Sequence, residues 1–173
     1  MHMQVTRARG FTLIELLTAI MVAAVLAAVS IPMYTSFVRN QRVKTAAFDL
    51  NYALTLARGE ALKRNSSVVV SPDTNGWKFG WSVQTTGGTP VTLFSHTTPT
   101  YLDSSNAAVS YLTITPATGN VVTYNGSGRL ASSVSSFKIA SAAGSTAQVA
   151  PRCVTIDLSG LPRNTPSTSG NCP

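Results

Sequence analysis

Charge is what this chain has least of. Only 11% of its 173 residues are Asp, Glu, Lys or Arg, and just six of them are acids. Histidine occurs twice, at positions 2 and 96, and cysteine twice, at 153 and 172. So few titratable groups argue against paired carboxylates for acid–base work. Two cysteines and His96 do not make up a usual zinc ligand set. The sequence also lacks a phosphate-cradling glycine loop, metal-ligand spacing and a nucleophile elbow. Its abundant serine is composition, not a triad. The expectation is a non-enzyme, with no catalytic residue, no metal and no cofactor.

Charge is scarcest near the start. Between Gly10 and Arg39 the one charged residue is Glu15, inside the run RGFTLIELLTAIMVAAVLAAVSIP from Arg9 to Pro32. About 20 apolar residues suffice to cross a bilayer. A carboxylate at the centre of such a helix costs roughly 2.5–3.5 kcal/mol, and less towards the interface. An anchor has no use for that penalty, so Glu15 is a functional candidate that needs a partner. A free α-amino group on Phe11 would be one. It would exist only if the chain were cut between Gly10 and Phe11, and Glu15 lies four residues on, along the same helical face. Two plainer readings compete. One is a secretory signal peptide with n-region MHMQVTRAR and a cut near Ala27 or Ser30; its apolar region would exceed the usual length of about 7–15 residues. The other is a signal anchor in which Glu15 is incidental.

Arg9-Gly10-Phe11-Thr12-Leu13-Ile14-Glu15-Leu16-Leu17 resembles the class III signal of type IV pilins and pseudopilins. That resemblance implies a membrane-embedded prepilin peptidase that cuts after Gly10 and N-methylates Phe11. It implies that Glu15 then helps to seat the subunit against the N-terminal amine of a neighbouring pilin, with Pro32 near the end of the apolar run. Losing residues 1–10 removes Arg7 and Arg9 and lowers the net charge from +7 to +5, with 11 basic against 6 acidic residues. Such a balance favours an anionic partner, nucleic acid or a phospholipid surface.

Helical periodicity continues past Pro32. Val43, Ala47, Leu50, Leu54, Ala57 and Ala61 recur at steps of four and three, one apolar stripe on an amphipathic helix. The expected helix runs from about Phe11 to Arg64. Pro32 should kink or locally melt it, Gly59 should soften it, and Asn65-Ser66-Ser67 should end it. Beyond Ser67 the period becomes two. Strand candidates are Val68–Val70, Trp77–Val83, Val91–Ser95, Ala108–Thr115, Val121–Tyr124, Ser136–Ile139 and Arg152–Leu158, separated by turn-rich clusters such as Pro72–Gly76 and Ala142–Ala147. The alternating aromatics at 77–81 read as a sheet face, with a base-stacking platform as the alternative. The polar tail from Ser159 reads as a loop.

The predicted fold is therefore α+β and pilin-like: a long N-terminal helix, membrane-spanning in its first half, packed against an antiparallel β-sheet head. The expected division is leader 1–10, membrane or filament-core helix 11–33, amphipathic helix 34–65 and head 66–173. In an exported domain Cys153 and Cys172 read as a disulfide that tethers the tail. Arg39, Arg42 and Lys44 follow the apolar run and only Arg7 and Arg9 precede it, which by the positive-inside rule puts the head in the cytoplasm. The cysteine pair and the resemblance put it on the periplasmic side of the bacterial inner membrane, and later in a pilus or pseudopilus.

Helix, head and cysteine pair together are similar to the GspH/FimT/FimU group of minor pilins and pseudopilins. Ala57, Arg58, Glu60, Ala61, Lys63 and Arg64 match that group's LxxARxEAxKR segment. The resemblance implies a minor pilin of a type IV pilus or, alternatively, a GspH-type pseudopilin of type II secretion. A third reading is DNA binding: some FimT-like members use a basic GRxR motif, and Gly160-Leu161-Pro162-Arg163 retains its glycine and second arginine. Arg129, Lys138 and Arg152 are the further cations that could serve it.

Overall fold

The structure is a computed structural model that describes residues 10–142, 149–167 and 170–172. The expected leader up to Arg9 lies outside the described residues, as does most of the turn cluster expected at 142–147.

One helix, α1, runs from Leu13 to Arg64. It begins after Phe11 because Thr12 caps it. The Thr12 Oγ1 accepts the Glu15 amide N–H at 3.3 Å, and its carbonyl accepts the Leu16 N–H at 3.2 Å. Asn65 ends the helix by adopting the left-handed conformation, with φ of 47°. Ser66 N–H then bonds the Ala61 carbonyl at 3.2 Å and Asn65 N–H the Leu62 carbonyl at 3.3 Å, the paired bonds of a Schellman termination. Helical conformation carries on through Pro32, so the local melt expected there does not occur.

The chain forms two compact units, one ending at Phe37 and one beginning at Val38. In the first, every residue from Phe11 to Thr35 whose side chain is described is exposed, and the helix is apolar all round. It is long and apolar enough to cross a membrane, with a mean hydropathy of 2.4 over its most apolar window. Its hydroxyls are tied to the helix's own backbone: Thr18 donates to the Glu15 carbonyl and Ser30 to the Leu26 carbonyl.

In the second unit the stripe Val43, Ala47, Leu50, Leu54, Ala57 and Ala61 is fully buried. Two four-stranded antiparallel sheets share the core with it. The first has the order β3-β2-β1-β7, where β1 is Val68–Pro72, β2 Gly80–Thr85, β3 Thr92–Thr97 and β7 Val122–Tyr124. The second has the order β10-β9-β8-β6, where β6 is Leu112–Pro116, β8 Ser136–Ser141, β9 Arg152–Ile156 and β10 Pro162–Pro166. Alternate residues point inwards: Val68 and Val70, Trp81 and Val83, Val122 and Tyr124 from the first sheet; Ile114, Phe137, Ile139, Val154 and Ile156 from the second. A separate two-stranded ribbon pairs β4 (Thr100–Leu102) with β5 (Ala108–Ser110).

Three strand expectations change. Trp77–Phe79 is a turn, because successive bonds from Gly76, Phe79 and Gly80 N–H to the carbonyls of Asp73, Gly76 and Trp77 roll the segment up. Trp77 and Trp81 are both buried, Trp77 edge-on to Phe137 and Trp81 stacked on His96, so neither is a base-stacking platform. Ala108–Thr115 is two strands, broken at Tyr111, where the Ser110 hydroxyl accepts the Leu112 N–H instead. The tail is not a loop at its start: residues 162–166 form β10, an edge strand bracketed by prolines that need give no ladder donor on the open side.

Two glycines predict opposite responses to alanine. At Gly160, with φ of +82°, a Cβ would lie 2.3 Å from the Gly128 carbonyl oxygen, whereas at Gly59 it would meet open space. Gly160→Ala should destabilise the head by more than about 1 kcal/mol, and Gly59→Ala should stabilise it by about 1 kcal/mol. Thermal unfolding of the detergent-solubilised chain, followed by near-ultraviolet circular dichroism of the buried tryptophans, measures both.

Candidate functional site

The residues singled out by sequence lie at the start of α1, along its last turns and on the two faces of the second sheet, with Pro32 inside α1 and Arg129 on a separate hairpin.

At the start, Phe11 and Glu15 line one shallow groove along the helix with Thr18, Ala19, Val22, Ala23 and Leu26. Small side chains floor it, so another helix can approach closely there. Glu15 stands in the first turn, where the helix dipole favours a carboxylate. Thr12 was not singled out by sequence, although Thr12-x-x-Glu15 has the spacing of a capping box.

At the other end, the Leu54–Arg64 segment divides into two roles. Ala57 and Ala61 are fully buried, and their small size brings the helix against the sheets. The Arg58 Nε donates to the Gly128 carbonyl at 3.1 Å, across 70 residues of sequence. That carbonyl belongs to the turn after β7, which Asn125 closes by accepting the Ser127 and Arg129 N–H groups on its Oδ1. Gly126 packs on the Asn65 cap, Gly128 on Leu62 and Gly160 on the Gly128 carbonyl. Turns from both sheets thus meet over the last turns of α1, with Arg58 hydrogen-bonded into the joint. Tyr124 is buried beside it, and burial pushes its hydroxyl well above the usual tyrosine range. Glu60 instead pairs outwards with Arg64 at 2.7 Å and Lys63 at 3.7 Å, and the Arg64 bond foremost holds its carboxyl below the usual range.

Register sorts the cations proposed for DNA. Lys138 pairs with Cys153 and Arg163 with Thr155, which places both on the outer face of the second sheet. Two strands and two residues apart, they are separated by about 12 Å. Arg152 pairs with Ile139 and turns inwards: its guanidinium lies 5.9 Å over the Phe48 ring and Nη1 donates to Asn164 Oδ1 at 3.1 Å. Arg129 stands on the hairpin after β7. The four do not share one face. Gly160 and Leu161 belong to the β9–β10 turn, where Asp157 accepts the Leu161 N–H at 3.0 Å, and Pro162 is buried. The Ser159 hydroxyl, then the Leu161 N–H and, more weakly, the Arg163 charge hold the Asp157 carboxyl low. A carboxylate near Arg163 works against a phosphate there.

Cys153 and Cys172 are joined, with Cα atoms 5.5 Å apart. The bond carries the tail across the outer face of the second sheet, where Asn171 and Cys172 wall a groove of about 780 Å³ floored by Thr113, Thr115 and Lys138. Among the described residues, no three or more His, Cys, Asp or Glu side chains are grouped to hold a metal.

Residues 46–160 match the family model described as type II transport protein GspH, and residues 5–31 match the prokaryotic N-terminal methylation motif. Arg163 lies beyond the first match. No curated protein matches the chain. Among solved structures it is similar to the type IV minor pilin FimU of Pseudomonas aeruginosa, at 21% identity and a TM-score of 0.56, covering 79% of this chain and 96% of that one. A second crystal form of FimU aligns with a TM-score of 0.53, again at 21% identity, over 75% and 96% of the two chains. At that identity the likeness is one of fold: a long N-terminal helix packed against antiparallel sheets.

The two roles within Leu54–Arg64 separate by mutation. Arg58→Ala should cost about 1.5–3 kcal/mol, the range for a hydrogen bond from a charged group. Lys63→Ala should leave the melting temperature unchanged, since exposed ion pairs contribute little. Equal effects of the two in chemical denaturation would contradict this division.

Proposed function

The chain belongs to the type II transport protein GspH family, a structural and non-enzymatic one, and from that premise we propose that it is a minor pilin of a type IV pilus. Prepilin peptidase cuts between Gly10 and Phe11 and methylates the new terminus. The apolar part of α1 holds the subunit in the bacterial inner membrane with its head on the periplasmic side, and later lies in the filament core. The observation that carries this reading is Glu15, the one charge of an apolar helix segment whose described side chains are exposed, in the same groove as Phe11.

The physical step is association. Alone in a membrane the carboxylate is expensive, and opposite a neighbour's terminal ammonium that cost is offset. Because the charge sits at one height on the helix, pairing fixes the axial register between subunits. Small residues beside it let the helices close, and Pro32 marks the end of the run that packs in this way. The Cys153–Cys172 bond favours a compartment that permits disulfides.

The family's own description favours a second reading, a pseudopilin of a type II secretion system with the same processing and helix packing. DNA binding through Arg163 has less support, since Asp157 stands near that arginine and Arg152 is turned inwards.

Glu15→Ala should be processed like the parent chain yet be missing from sheared surface filaments; its recovery there at parental level would contradict the assembly role. Deleting the gene and scoring pili and exoprotein secretion in one culture separates the two systems. Lost pili with normal secretion is expected, and the reverse would make the protein a pseudopilin.

A further inference from the structure

Arg39, Arg42 and Lys44 are misplaced for an exported head, where the positive-inside rule leaves few cations after the apolar run. The surroundings of Arg42 supply a reason. Its guanidinium lies 3.8 Å from the centre of the Tyr111 ring, and Tyr111 in turn packs on Tyr101 with ring centroids 4.7 Å apart. Tyr101 and Leu102 belong to β4, in the ribbon that joins neither four-stranded sheet. A lone two-stranded ribbon is marginal in water. This one leans on the Tyr101–Tyr111–Arg42 stack and on a turn in which Asp103 accepts the Ser105 and Ala107 N–H groups at 2.8 and 3.0 Å.

All three residues of β4 are exposed, Tyr101 to 42% and Leu102 to 64%. An exposed leucine beside tyrosines and an arginine is the composition of a membrane–water interface. Chain length keeps Arg42 near that interface: nine residues separate it from position 33, the expected end of the membrane segment, and they span at most about 32 Å whatever direction they take. Two alternatives fit less well. A stacked nucleobase needs a free ring face, while Tyr111 has Arg42 over it and Tyr101 against it. Leu102 offers nothing to a polyanion in water. The nearby acid, Asp103, opposes an anionic surface, but its carboxylate is already engaged by two backbone donors.

We propose that the β4–β5 ribbon, through Tyr101 and Leu102, docks with Arg42 onto the anionic phospholipid surface beside the apolar segment. This rests on the reading of that segment as membrane-embedded. Docked, the head is held at the bilayer before the subunit enters a filament, and release of the ribbon accompanies extraction.

The full chain in proteoliposomes tests it, with Leu102→Trp compared against Leu158→Trp on the far β9–β10 turn and the parent signal of Trp77 and Trp81 subtracted. Brominated phospholipids should quench the tryptophan at 102 about twofold more than that at 158 in phosphatidylglycerol vesicles, and Arg42→Gln or pure phosphatidylcholine should shrink the difference. Equal quenching at the two positions, in protein that resists alkaline extraction, overturns docking alone. Strong quenching at 102 that ignores both lipid charge and Arg42→Gln overturns the anionic recognition. Release of the chain by alkali overturns the membrane reading and the docking with it.

Discussion

One helix carries two kinds of surface, and the rest of the structure depends on how they divide it. Up to Thr35, α1 is apolar all round and its described side chains are exposed; from Val43 it buries a single stripe and exposes a mixture of polar residues with Phe48, Tyr52 and Leu62. No length of propensity-driven helix requires such a division, since an aqueous helix needs only one apolar face. The first part has the length and composition to cross a membrane. In such an environment each backbone group is satisfied within the helix, and the hydroxyls of Thr18 and Ser30 return to backbone carbonyls rather than remain unpaired. Glu15 is the exception, and under the proposed processing between Gly10 and Phe11 its partner is the terminal amine of the next subunit.

The head is organised around the other end of the same helix. Buried alanines at 46, 47, 53, 57 and 61 let two sheets pack close to the helix axis. Where α1 stops, Gly126, Gly128 and Gly160 allow the turns of both sheets to meet over the Asn65 cap, and Arg58 donates into that joint. A side chain at Gly160 would strike the Gly128 carbonyl. The glycine of the Gly160-Leu161-Pro162-Arg163 stretch thus has a structural reason to be there that is independent of any ligand. Likewise Arg58 in the Leu54–Arg64 segment hydrogen-bonds into the fold, while Lys63 and Arg64 each pair with Glu60 at the surface.

Much of this was legible in the residue order because it is local. The steps of four and three from Val43 to Ala61 identify the buried stripe, and Asn65 marks the helix end where a left-handed residue is needed. The apolar run with Glu15 near its start was visible for the same reason. Other features depend on partners distant in sequence. Arg58 reaches Gly128 across 70 residues, and nothing near either position announces it. Alternating aromatics at 77–81 imitate a strand, yet Asp73 and Gly76 coil the segment before β2 begins. β10 has a polar sequence bracketed by prolines, and only its pairing with β9 makes it a strand. Register alone could show that Arg152 turns inwards while Lys138 and Arg163 face out.

The central claim is that the chain enters a filament as a processed subunit whose N-terminus meets a neighbour's Glu15. Intact mass and N-terminal fragmentation of the chain recovered from purified filaments test this most directly. The account expects a polypeptide that begins at N-methylated Phe11 and retains Glu15. A chain starting at Met1, or one cut near Ala27 or Ser30 and so lacking Glu15, would contradict it.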